Sequence, residues 1–177
     1  MKHIHLPYTT AVLFLALVLA GCDAILPADE EVVVDHIQEF RFELTRQQVI
    51  DGVAVNAEAP LNVEPTLNSI GFTRDMLIAA EASSASLRMT LADVADALSA
   101  ASIRVGSGTS QTEIAAAQQI GQGAQVSLST TGANIGGLVR SGNPTVSLLP
   151  EAVDDLGDRS TYVFRLTVTV RMTLQSV

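Results

Sequence analysis

Tyr162-Val-Phe-Arg-Leu-Thr-Val-Thr-Val-Arg-Met-Thr-Leu-Gln175 is the stretch that decides the fold class. Tyr162, Phe164, Leu166, Val168, Val170, Met172 and Leu174 form one uninterrupted apolar set. Val163, Arg165, Thr167, Thr169, Arg171, Thr173 and Gln175 form the other. A helix would scatter the apolar set around its whole circumference, whereas a period of two places it on one face of a strand. The pattern predicts a half-buried antiparallel strand. At the usual rise it would reach about 45 Å, long enough to bend or to serve two neighbours.

Working outward, residues 32–45 repeat the alternation. Phe40, Phe42 and Leu44 interleave with Arg41, Glu43 and Thr45, and Val32-Val33-Val34 extends the β signal. Ala85, Leu87, Met89 and Leu91 against Ser86, Arg88 and Thr90 mark another strand. Residues 102–105, 126–128 and 146–149 read as short strands, the last stopped by Pro150. Between them, residues 50–72 carry Pro60, Pro65 and Gly71, which is turn chemistry with one short strand at most. Residues 131–144, with Gly132, Gly136, Gly137, Gly142 and Pro144, read as loop. Thr73 could cap a brief helix reaching Glu81. Leu91, Val94, Ala95 and Leu98 fit helical spacing, so residues 91–101 are predicted as a short connecting helix; residues 112–120 fit either helix or strand. The sum is a mainly β domain over residues 32–177: an antiparallel two-sheet sandwich with one or two short connecting helices.

The chain opens differently. Lys2 precedes a ten-residue apolar run at 11–20, too short to span a bilayer permanently but suited to the core of a signal peptide. Leu19-Ala20-Gly21-Cys22 follows at once and contains the only cysteine. These four residues resemble a bacterial lipobox. The resemblance implies a signal peptide at 1–21, cleavage before Cys22, and a diacylglycerol on its thiol. Two or more acyl chains anchor stably, at about 0.8 kcal/mol per buried CH₂. The expected location is the cell envelope, with the membrane as partner through Cys22. Asp23 retains lipoproteins in the inner membrane of enteric bacteria, a rule other groups do not share, and the outer membrane is the expected site. Residues 22–31 then form an acidic tether with Pro27 and Asp29-Glu30-Glu31, reaching about 30 Å when extended.

The signal carries Lys2 and no acid, so the mature chain holds nine arginines and 19 acids, for a formal charge of −10. That balance disfavours nucleic acid and anionic headgroups as partners. Tyr162 is the only mature tyrosine and tryptophan is absent, which disfavours the ring stacking that carbohydrate recognition uses. A lone cysteine supports neither a disulfide framework nor a zinc cluster.

Chemistry-bearing residues are few. His36, the only mature histidine, sits beside Asp35 and near Glu39. On a strand, positions 35 and 36 face opposite ways, so His36 is expected as an exposed or edge residue and not a ligand. Glu151, Asp154, Asp155 and Asp158 crowd one loop. Calcium takes six to eight oxygens, but the spacing does not match an EF-hand. A solvated acidic turn is the expectation and a calcium site the alternative. The glycines fit no phosphate-binding fingerprint, and no Gly-x-Ser-x-Gly occurs. No cofactor is expected.

The anchored tether, aromatic first strand and long last strand resemble the β-sandwich envelope lipoproteins of unknown function. The resemblance is one of architecture and transfers no functional residues. It implies a lipid-anchored, non-catalytic protein acting as a binding or structural module, with another envelope protein as a candidate partner. The alternatives are an accessory subunit of an outer-membrane transport or assembly complex, and a carboxylate-dependent hydrolase.

Overall fold

Strand β1 (Glu31–Thr45) and strand β8 (Thr161–Gln175) run antiparallel in unbroken register from Glu31 opposite Gln175 to Thr45 opposite Thr161. The structure, a computed structural model, describes residues 31–91, 97–107, 110–121, 125–152 and 160–175. Every apolar residue of the 162–174 set is buried, while Arg165 and Arg171 are exposed. β8 also pairs along its other side with β3 (Leu77–Leu91). Its length therefore serves two neighbours, and the β3 pairing shifts register at three points, after Leu77, Ala82 and Met89.

The remaining strands are β2 (Val55–Asn56), β4 (Ala97–Ser107), β5 (Ser110–Gly121), β6 (Gln125–Thr130) and β7 (Thr145–Ala152). All eight join in one antiparallel sheet of order β1-β8-β3-β6-β5-β4-β7-β2. This differs from the expected pair of separate sheets. The link is narrow: among the described residues β5 meets β6 at Ala115–Thr130 and Ala116–Ser129. The sheet curls there into a half-barrel, and residues from both halves line one hydrophobic core. Beyond β2 the chain comes back to the opposite edge, where Glu58 N–H donates to the Arg41 carbonyl at 3.2 Å.

Helix assignments differ more. Leu91 ends β3 and residues 97–101 open β4, so they are strand and not helix; residues 112–120, which fit either by sequence, are strand in β5 and pair with β4. Residues 92–96 of the expected connecting helix lie outside the described residues. Alanine's helix preference is small, and pairing across β4–β5 overrides it. The helix expected after Thr73 is only a 3₁₀ turn (Arg74–Met76), because Leu77 already pairs with Leu174. Among the described residues three short helices form instead. α1 (Arg46–Ile50) starts on a reciprocal cap: Thr45 Oγ1 accepts from Gln48 N–H, and Gln48 Oε1 accepts from Thr45 N–H. α2 (Glu64–Ser69) has Pro65 in its first turn, and Gly71 follows at φ +77°, a left-handed exit that glycine makes easily.

α3 (Gly136–Ser141) lies where a loop was expected. It can approach β3 because that strand carries alanines there: a Cβ on Gly136 would stand 3.2 Å from Ala79 Cα. Asn134 Oδ1 accepts from Ala80 N–H and Gly136 N–H, and Arg140 Nη1 donates to the Leu77 carbonyl at 2.6 Å. Pro150 does not stop β7 but lies inside it, opposite Ala101. Among the described residues β2 pairs with β7 at Ser147 and Leu148, so Pro150 lies beyond that pairing, where β7 is an edge.

Candidate functional site

The outward face of β1, β8 and β3 is a ribbon of charged and hydroxyl side chains, and register sorts it into rows. Asp35, Arg171 and Glu81 stand side by side on the three strands, and Arg171 Nε reaches Asp35 Oδ1 at 3.3 Å. Arg41, Arg165 and Arg88 form another row, continued on β6 by Gln125. Between the two lies a row with Glu39, Thr167 and Ser86.

A cleft of about 390 Å³ opens on this face, lined by Glu39, Ser86, Arg88, Thr90, Gln125, Arg165 and Thr167. Arg165 Nη1 donates to Glu39 Oε1 at 2.8 Å. Gln125 Nε2 donates to Ser86 Oγ at 2.8 Å, and Thr90 Oγ1 donates to the Val163 carbonyl at 3.2 Å. Outside the cleft, Arg41 binds Glu43 and Glu58. The arrangement presents guanidinium, hydroxyl and amide groups on rigid strands, which suits recognition of a polar anion.

On the inward side, the structure corrects the expectation for His36. Asp35 and His36 do face opposite ways and β1 is an edge strand, but His36 is only 7% exposed. Its Nδ1 lies 2.8 Å from Thr66 Oγ1 and its Nε2 lies 3.2 Å from Gln38 Oε1. The Gln38 amide is oriented independently: its Nε2 donates to the Pro60 carbonyl at 2.9 Å, and its Oε1 accepts from Asn62 N–H at 3.0 Å. His36 Nε2 must therefore be the donor to Gln38, which leaves Nδ1 to pair with the Thr66 hydroxyl. A hydroxyl on an imidazole resembles a nucleophile with its base, yet the second nitrogen meets an amide and not a carboxylate. The cluster fastens residues 60–66 to the β1 edge. A second buried group, Ser147, donates to Asn56 Oδ1 at 2.8 Å and joins β7 to β2.

Of the acidic-loop residues, Glu151 is exposed on β7, while Asp154, Asp155 and Asp158 lie outside the described residues. Cys22 and the rest of residues 1–30 lie outside them too. Among the described residues, no group of three His, Cys, Asp or Glu side chains is placed to hold a metal. No helix among them is long and apolar enough to cross a membrane.

Reading strands singly missed the arginine row and the histidine cluster. The outward positions of Arg165 and Arg171 follow from β8 alone, but alignment with Arg41 and Arg88 requires the register of three strands. No protein-family model matches the chain, and no curated protein matches it closely.

Proposed function

We propose that this chain is a lipid-anchored, non-catalytic protein of the bacterial envelope whose β domain serves as a binding module. The observation that carries the binding reading is the outer-face cleft, where Arg88 and Arg165 stand beside hydroxyl and amide groups on paired strands. The lipobox residues Leu19-Ala20-Gly21-Cys22 support the anchor, and β1 begins nine residues beyond Cys22, at Glu31. On this reading the tether holds the domain clear of the headgroups, and the two halves of the curled sheet share a core much as the sheets of a sandwich do. The outer membrane is the proposed site.

Replacing Cys22 by Ser tests the anchor. The variant is expected in the soluble fraction, where the parent sediments with membranes; a variant that still sediments overturns the reading. Protease added to intact cells then tells a surface module, which is digested, from a periplasmic one, which is protected.

A second reading, an accessory subunit of an outer-membrane transport or assembly complex, is favoured by Val33 and Ile37. They lie on the outward face of edge strand β1 and are 59% and 68% exposed. Apolar side chains so placed suit a protein partner. Crosslinking from position 37 to an envelope protein would support it. The hydrolase reading needs two converging carboxylates, and the cleft holds one, Glu39, already bound by Arg165.

A further inference from the structure

Like charges directly opposite each other on neighbouring strands repel. The outer face of β1, β8 and β3 respects this at Asp35–Arg171–Glu81, where an arginine stands between two acids. It departs from it at Arg41–Arg165–Arg88, three arginines opposite one another on three consecutive strands. With strands about 4.8 Å apart, the row is a ribbon of positive charge roughly 10 Å wide.

Two of its members are neutralised from within. Arg41 holds Glu43 and Glu58, and Arg165 holds Glu39. Arg88 is exposed and has no hydrogen bond or ion pair among the described residues. The cleft beside it contains two guanidinium groups and one carboxylate, an excess of one positive charge. Ser86 has its oxygen engaged by Gln125 Nε2, which leaves its O–H to donate outward. Thr167 places a second hydroxyl in the same wall.

The geometry points to a carboxylate-binding site in which the forked guanidinium of Arg88 grips the carboxylate of a ligand seated in the cleft between Ser86, Thr167 and the Arg165–Glu39 pair. A single negative charge balances the excess, whereas the second charge of a phosphate would face Glu39. The planar fork matches a planar carboxylate through two parallel N–H···O bonds. This inference rests on the reading of the domain as a binding module. The same chemistry occurs on free organic acids and on the acidic side chains of a partner protein.

The test is an NMR titration of the arginine Nε–Hε signals in the full-length protein in detergent micelles. The probes are sodium acetate, sodium chloride at matched ionic strength, sodium phosphate and a triglutamate peptide. Exposed ion pairs are individually weak, so acetate should act at high concentration. The Arg88 signal is expected to move saturably with acetate and not with chloride. The Arg165 Nε–Hε signal in the same cleft should follow it; Arg88→Gln should abolish that Arg165 shift while the backbone amide spectrum stays intact, and Arg88→Lys should weaken it by losing the fork. Triglutamate binding about tenfold tighter than acetate would assign the site to acidic side chains of a protein; equal affinity would assign it to small acids. Shifts that are equal at all arginines, that chloride reproduces, or that survive Arg88→Gln overturn the site, and tighter binding of phosphate overturns the ligand class. Failure of the titration with a Cys22→Ser variant that is released refutes only the ligand. A retained Cys22→Ser variant refutes the anchor and leaves the titration standing.

Discussion

The half-barrel has two unlike sides. β1, β8 and β3 place aromatic and long aliphatic side chains inward: Phe42, Phe164 and Met89 lie in one row across three strands, with Phe40, Leu166 and Leu87 beside them. β4 and β5 fill the other side with Leu98, Ala101, Ile103, Ile114, Ala115 and Ile120. The first side has strong contrast, because apart from Val33, Ile37 and Val163 its outward positions are mostly Arg, Asp, Glu, Thr and Ser. The second has Ala and Ser on both faces and little contrast. The two are equally β, but only the first declares it locally.

The largest expected effect breaks the first side. Phe164 is fully buried between Phe42 and Met89, so Phe164→Ala should cost about 3–5 kcal/mol, and a conservative Ile114→Val on β5 about 0.5–1.5 kcal/mol. Urea denaturation measures both; equal losses would show that the two sides do not differ as drawn.

Gly106 tests the second side. A Cβ there would lie 2.0 Å from the Ser110 carbonyl oxygen and 2.8 Å from Gln111 Cα, both backbone atoms that cannot swing away. Gly106→Ala should cost about 1–3 kcal/mol and disturb amide signals along β4 and β5. Gly137→Ala, with nothing within 4 Å of its Cβ, is the control and should leave stability unchanged or slightly raised.

Gln38→Ala probes the seam where residues 60–66 meet β1. It strands Asn62 N–H and His36 Nε2–H, for a loss of about 1–2 kcal/mol. Hydrogen exchange should quicken at Asn62 before it quickens in β8. An unchanged Asn62 would show that the seam does not depend on this amide.

The smallest effect belongs to the exposed ribbon. Arg171→Ala removes a pair with Asp35 in which both side chains are about half exposed, so the loss should stay under about 1 kcal/mol and shrink in high salt. A loss insensitive to salt would mean that Arg171 contributes by packing.

These contrasts explain what was legible. β1 and β8 could be read to within a residue because apolar and polar positions alternate from Phe40 to Thr45 and from Phe164 to Gln175. Residues 112–120 could not, since Ala115-Ala116-Ala117 suits helix and strand alike until β4 lies beside it. His36 read as exposed because a lone histidine carries no sign of its surroundings; its parity with Phe40 and Phe42 was the one available signal that it points inward. The α3 helix was hidden by its glycines, of which Gly136 serves the close approach to Ala79 and Ala80.

By itself, the sequence determined that the chain is mainly β, that residues 162–175 form a two-faced strand, and which side chains of that strand turn to water. Those properties follow from a period of two within one segment, and no distant residue is needed to express them. Only the tertiary structure decided that eight strands share one curled sheet, that Thr66 and Gln38 enclose His36, and that Arg41, Arg165 and Arg88 stand in line. Each depends on register between segments far apart in the chain. A slip of one residue in that register would turn every side chain to the opposite face and dissolve the row.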